Sequence, residues 1–180
     1  YALAAATGKR AMVKRMRKES LQGDMKFISL LEKMGCTVSW ERDGRQNLWL
    51  KGPDGKLKGM EVKMSDFSDQ ALTLAAIAPF ADSEVTIKGI AHIRGQESDR
   101  IKVIVDELAK MGILCNELPD GVKIHPGTPK NTNIETYNDH RVAMSFAVTG
   151  LAGDGMTILN PMCCKKTFAG FFDEIDRLEE

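Results

Sequence analysis

Apolar residues recur along the chain with two helical signatures. Phe27, Leu30, Leu31 and Met34 fall at helical spacing, as do Ile101, Ile104, Val105, Leu108 and Met111. Both sets predict amphipathic helices with one face on a core. On the second, Ser98-Asp99-Arg100-Ile101 stands where an N-cap is expected, and Glu107 and Lys110 are read on the outer face. Residues 71–81 and 142–151 are instead apolar nearly all round, as in helices enclosed within a domain. Strands are read around 12–13 and at 38–40, 48–50, 85–87, 121–124 and 156–159, and further helices at the start of the chain and over 167–178.

These elements repeat. Segments 1–65, 66–130 and 131–180 each give a helix, a strand and a second helix, and the first two add a hairpin-like pair of strands. Lys-Met-Gly closes the second helix twice, with Gly35 and Gly112 in the C′ position. One enclosed and one amphipathic helix per unit predict an α/β domain with pseudo-threefold packing, its buried helices central and its small sheets outside.

Composition narrows the function classes. The 180 residues are 43% apolar and 28% charged, ordinary for a globular protein, and 25 Lys+Arg balance 25 Asp+Glu. That balance gives no global field toward nucleic acid or membrane. The longest apolar runs, such as 71–81, fall short of the roughly 20 residues that span a bilayer. No basic-then-apolar leader opens the chain. It starts at Tyr1 and runs at once into apolar residues 2–6, as if a helix had been cut into, and is read as part of something longer. Cys36, Cys115, Cys163 and Cys164 lack C-x-x-C spacing, and His92, His125 and His140 are scattered, so no zinc site is expected. Free thiols in a reducing cytoplasm are the plain reading.

Charged residues gather at helix starts. Asp69 opens the apolar helix of the second segment, and Asp139-His140-Arg141 opens that of the third. A helix N-terminus favours carboxylates and phosphates. From position alone Asp69 and Asp139 read as N-caps. Arg141 does not fit that plain account, because a cation there is unfavourable without an anion beside it. Arg94-Gly95-Gln96-Glu97-Ser98-Asp99-Arg100 reads on its own as a solvated turn with local ion pairs. Lys165 and Lys166, after the paired cysteines, read as an exposed turn. Yet residues 97–100 and Lys166 fall at the same step of successive units, as does Ser20-Leu21-Gln22-Gly23-Asp24, so together they can form a rim that binds an anion. The stretch 9–18 carries Lys9, Arg10, Lys14, Arg15, Arg17 and Lys18 without interleaved aromatics. It reads as a solvated strand and turn rather than a nucleic-acid footprint.

Taken together, the segments 20–36, 69–81, 94–101, Tyr137-Asn138-Asp139-His140-Arg141-Val142-Ala143-Met144 and Lys166-Thr167-Phe168 resemble the 5-enolpyruvylshikimate-3-phosphate synthase family, in its C-terminal domain. The resemblance implies an inverse α/β barrel of two similar domains, each of three repeated units, with the N-terminal domain absent here. It implies enolpyruvyl transfer from phosphoenolpyruvate to the 5-hydroxyl of shikimate 3-phosphate, with phosphate released and no metal or organic cofactor. By matching position, Asp69 would hold shikimate hydroxyls and accept a proton. Glu97 would donate one to the methylene carbon, its pKa raised by nearby substrate anions. Arg100, Arg141 and Lys166 would bind phosphoenolpyruvate, while Asp139 and His140 would order that anion site. Gln96 stands where the family usually has lysine, and is expected to contact shikimate 3-phosphate more weakly.

The same resemblance implies a cytoplasmic enzyme of aromatic amino-acid biosynthesis, a glyphosate target, whose isolated C-terminal domain is inactive. A UDP-sugar enolpyruvyl transferase shares the fold, but its motifs match less well. A non-catalytic module binding nucleic acid or polyphosphate is the rival from another class. Asp69 and Glu97 count against it, because carboxylates beside an anion site hinder phosphodiester binding.

Overall fold

Three helices meet at the centre of the molecule: α1 (Ala2–Thr7), α3 (Ala71–Ile77) and α5 (His140–Ala152) pack pairwise against one another. Small residues make the approach possible. Ala2, Ala4 and Ala5 on α1, with Ala71, Ala75 and Ala76 on α3, are buried and bring the backbones together. A polar tie crosses this core, where the Thr149 hydroxyl donates to the Ala76 carbonyl at 2.8 Å. A computed structural model describes residues 1–41 and 46–179. Residues 42–45 and 180, which fall within the first and third segments read from sequence, lie outside the described residues.

The amphipathic helices α2 (Met25–Lys33) and α4 (Arg100–Lys110) lie where the periodicity put them, with Leu31, Ile104 and Leu108 fully buried. Each such side chain contributes about 1.5–3 kcal/mol on leaving water. Gly35 (φ 103°) and Gly112 (φ 77°) follow these helices in the left-handed region, which a Cβ disfavours. One residue of α4 is misplaced by the sequence reading. Glu107 is not on the outer face; it is completely buried. The apolar run 71–81 is helical only to Ile77, and Pro79 turns the remainder into a 3₁₀ segment.

Three small sheets flank the helices. In the first, β1 (Arg10–Val13) and β2 (Thr37–Trp40) lie antiparallel on either side of β3 (Leu48–Lys51), with Ala11 and Val38 both opposite Leu50. The basic stretch thus becomes an edge strand and its turn. Its charges, with Arg10 stacked 3.8 Å over Trp49, discourage a further strand from pairing there.

In the second sheet β4 (Glu61–Lys63) runs parallel to β5 (Val85–Lys88), which is antiparallel to β7 (Gly121–Ile124). The hairpin partner of β7 is β6 (Cys115–Leu118). The third pairs β8 (Asn133–Ile134) with β9 (Thr157–Ile158) in parallel. The last helical region divides into α6 (Lys165–Phe168) and α7 (Phe171–Glu179) around Gly170, in place of one continuous helix. No described helix is long and apolar enough to cross a membrane.

Candidate functional site

Four chain segments converge at the ends of the central helices. Asp69 sits on the 3₁₀ turn Ser68–Gln70 that leads into α3. Gln96 and Glu97 lie in the turn before α4, and Arg100 is the first residue of α4. Asp139 caps α5, followed by His140 and Arg141, and Lys166 comes from α6.

Asp139 is the organising group. Fully buried, its carboxylate accepts from the Arg141 backbone N–H at 2.9 Å, as an N-cap should, and from the Ser98 hydroxyl at 3.0 Å. It also takes a two-point contact from Arg100, with Nε at 2.8 Å and Nη2 at 3.3 Å. Burial pushes its carboxyl pKa up, but Arg100, with the Arg141 amide and Ser98, holds it below the usual range. The N-cap reading of Asp139 is thus met.

That of Asp69 is not. Its side chain caps no helix, and α3 begins after Gln70 without a side-chain cap. Asp69 instead receives Arg141 Nη2 at 3.0 Å and lies 3.5 Å from Arg100 Nη1. It is the anion that makes Arg141 tolerable at a helix N-terminus.

The second half of the site is built on Glu97. Its Oε2 is 2.9 Å from Lys166 Nζ and 3.1 Å from His140 Nδ1. Burial pushes the Glu97 carboxyl up and the Lys166 ammonium pulls it down; the Asp139 charge adds upward and His140 downward. The balance leaves it below the ordinary glutamate value. The raised value expected of a proton donor is therefore not what the surrounding side chains produce by themselves, because Lys166 and His140 hold the carboxyl down. Gln96 does not present its amide to an open cleft alone, since its carbonyl accepts from Arg100 Nη1.

Every proposed cation is therefore already matched by a carboxylate. Arg100, Arg141 and Lys166 face Asp69, Glu97 and Asp139. Among the described residues, Glu97, Asp139 and His140 are the group whose potential ligand atoms lie close enough for a metal, within 4.8 Å of one another. Both carboxylates are already compensated, by Lys166 and Arg100, which leaves little negative charge to attract an ion. A polar depression of about 400 Å³ opens beside Asp69 and Gln96, lined also by Gln22, Asp24, Ser65 and Ser68. Four cysteines are unbridged, and burial pushes the Cys164 thiol up to about 11, far from a reactive thiolate.

Sequence reasoning missed two participants. Ser98, which the sequence places in a capping turn and in the 94–101 motif without a role of its own, bonds Asp139. Glu107 receives the Tyr137 hydroxyl at 2.8 Å and the Glu135 amide at 3.2 Å. Its spacing of seven from Arg100 was the available signal. Tyr137 (φ 52°) and Asn138 (φ 57°) are consecutive left-handed residues just before Asp139, a conformation costing roughly 1–2 kcal/mol at a non-glycine.

A family model described as EPSP synthase (3-phosphoshikimate 1-carboxyvinyltransferase) matches residues 1–175. A 3-phosphoshikimate 1-carboxyvinyltransferase of Nostoc punctiforme is 46% identical over 180 residues, which is 100% of this chain and 41% of that protein. The solved structure of EPSP synthase from Acinetobacter baumannii superposes with a TM-score of 0.83 at 27% identity, covering 98% of this chain and 43% of that one. The enolpyruvyl transferase NikO from Streptomyces tendae superposes at 0.75 with 18% identity, covering 99% and 42%, a likeness of fold alone. The chain spans about two fifths of the length of the curated relatives it matches.

Proposed function

Because the chain belongs to the EPSP synthase family, we propose that it forms one wall of an active site that moves an enolpyruvyl group from phosphoenolpyruvate to shikimate 3-phosphate. The 5-hydroxyl of shikimate 3-phosphate gives its proton to Asp69 and its oxygen adds to C2 of phosphoenolpyruvate. C3 takes a proton from Glu97 to give a tetrahedral ketal. This then expels phosphate from C2 and returns a proton from C3 to the Glu97 carboxylate, regenerating the enol ether. Arg100, Arg141 and Lys166 hold the carboxylate and phosphate of phosphoenolpyruvate. Asp139 and His140 keep those cations and Glu97 in place, and Gln96 contacts the second substrate. No cofactor takes part.

The observation that carries this reading is the Glu97–Lys166 contact at 2.9 Å. A phosphate that takes Lys166 away from Glu97 removes the main cation holding its pKa down. The carboxyl then becomes a proton donor at the moment the donor substrate is bound. The same geometry disfavours a nucleic-acid module, since Asp69 and Glu97 line the place a phosphodiester would occupy.

The remainder of the protein, an N-terminal domain of the same kind, supplies the facing wall and most of the shikimate 3-phosphate site. This chain alone is then folded but inactive, because catalysis needs both walls to close and exclude water. The packing of α1, α3 and α5, and the left-handed Gly35 and Gly112 at matching helix ends, support three repeats at about 1–65, 66–130 and 131–180. The unbridged cysteines suit a cytoplasmic protein.

The test is two-dimensional NMR of the labelled chain titrated with phosphate, phosphoenolpyruvate and shikimate 3-phosphate separately. Shifts confined to the surroundings of Arg100, Arg141 and Lys166 with phosphoenolpyruvate are expected. A folded chain that ignores phosphoenolpyruvate, or one that turns over both substrates unaided, would refute the corresponding part of the proposal.

A further inference from the structure

Arg100 and Glu107 are seven residues apart on α4, about two turns, so both side chains leave the same face of the helix. Both are buried, and both reach the same short stretch of chain. Arg100 grips Asp139 at the start of α5. Glu107 grips two of the four residues before it, Glu135 and Tyr137. Its Oε1 accepts from the Tyr137 hydroxyl at 2.8 Å and from Lys110 Nζ at 2.7 Å, and its Oε2 from the Glu135 amide at 3.2 Å. A completely buried carboxylate is costly unless its oxygens are matched, and here three donors match them.

The gripped stretch carries two consecutive left-handed residues that need support from their surroundings. Tyr137 and Asn138 are both left-handed, and the buried Thr136 hydroxyl has no partner among the described residues. Local bonds, from the Thr136 amide to Glu135 Oε1 and from the Asp139 amide to the Thr136 carbonyl, hold the turn to itself but not to α4. Strained backbone of this kind persists only where its surroundings over-determine it. The next three residues are Asp139, His140 and Arg141, so a small rotation at Tyr137 re-aims all of them.

We propose that Glu107 is a positioning residue: through Tyr137 and the Glu135 amide it locks the left-handed pair, and so sets the direction of Asp139 and the registry of its contact with Arg100. The functional weight of this rests on the reading of that cluster as the phosphoenolpyruvate site. The geometric statement does not, which allows separate tests.

The experiment uses the ligand-free, ¹⁵N-labelled 180-residue chain. It follows the side-chain Nε–H signal of Arg100, whose proton lies on Asp139, and the ring signals of His140. Tyr137→Phe removes one hydroxyl. Glu107→Gln keeps the shape but turns an amide N–H toward either the Glu135 amide or the Tyr137 hydroxyl. Leu108→Val, a core change on the same helix, serves as a control for lost stability. Tyr137→Phe and Glu107→Gln are each expected to shift the Arg100 and His140 signals and to speed exchange of the Arg100 Nε–H about tenfold through local opening. Leu108→Val should lower the melting temperature and leave those signals in place.

A Tyr137→Phe chain that melts lower but keeps the wild-type Arg100 and His140 signals overturns the proposal. Should it fail to fold, Glu107→Gln carries the same decision. A wild-type chain that ignores phosphoenolpyruvate counts against the enolpyruvyl reading and leaves this result standing.

Discussion

Lys166 Nζ lies 2.9 Å from Glu97 Oε2, a cation from α6 placed on the carboxylate just ahead of α4. Burial is the largest influence on the Glu97 carboxyl and pushes it up, but that contact together with His140 keeps its pKa below the ordinary value. A dianionic phosphate that shares or captures Lys166 reverses the balance, so phosphoenolpyruvate binding should draw a proton from solvent. Calorimetry in buffers of different ionisation enthalpy should show proton uptake in the complete enzyme near neutral pH. Glu97→Gln should abolish that uptake. Equal apparent enthalpies across buffers for the unaltered protein would defeat the idea.

The same downward shifts fix a pH dependence of stability. Glu97 and Asp139 both have folded pKa values below the ordinary ones. Their stabilisation is fully present above the unfolded values, roughly pH 4, and is lost as pH falls through the lower folded values. Urea midpoints should therefore fall as pH is taken below about 4, and Lys166→Met should reduce the part of that slope due to Glu97, leaving the share that His140 supplies.

Replacing Asp139 by alanine leaves Arg100 buried without its main counter-ion and strips α5 of its cap. Breaking one partner of such a pair costs about 3–5 kcal/mol, and the variant should be unfolded or close to it by urea denaturation. A loss under 1 kcal/mol would show that Arg100 finds water or another carboxylate, Asp69 being the nearest at 3.5 Å.

Thr149→Val removes a hydroxyl that ties α5 to α3 while keeping the side chain's shape. The expected loss is about 1 kcal/mol, the net worth of an ordinary hydrogen bond, read as a lower urea midpoint at unchanged slope.

Gln96→Lys is predicted to lower the KM for shikimate 3-phosphate in the complete enzyme by adding a cation beside Glu97. It also removes an acceptor from Arg100. An unchanged or higher KM would mean that the lost Arg100 contact outweighs the gained charge.

What the sequence made legible follows from what periodicity measures. Leu31, Ile104 and Leu108 repeat with the helix and announce its buried face. Glu107 stands on that same face but carries a charge, and a reading that sends charge to solvent must misplace it. Asp139 could be recognised as a cap because its partner, the Arg141 amide, is two residues away. The Arg141–Asp69 pair spans 72 residues, and nothing local distinguishes it from a cap at Asp69. β4 and β8 were invisible for a simpler reason: runs of three and two residues are too short to show alternation. The resemblance carried the grouping of site residues, while the capture of each cation by a protein carboxylate became visible only in three dimensions.

Because Arg100, Arg141 and Lys166 each already face a carboxylate, the cluster is a set of closed dipoles rather than a positive well. Such an arrangement casts little potential beyond one Debye length, about 8–10 Å at physiological ionic strength. An anion arriving from solution is therefore not pulled in from afar by this wall, and its arrival rate should depend only weakly on added salt. Its grip, once it has displaced the carboxylates at contact, can still be strong. Selectivity at such a site is exercised at the moment of exchange, by ligands able to replace Asp69 and Glu97 geometrically, and not by charge alone.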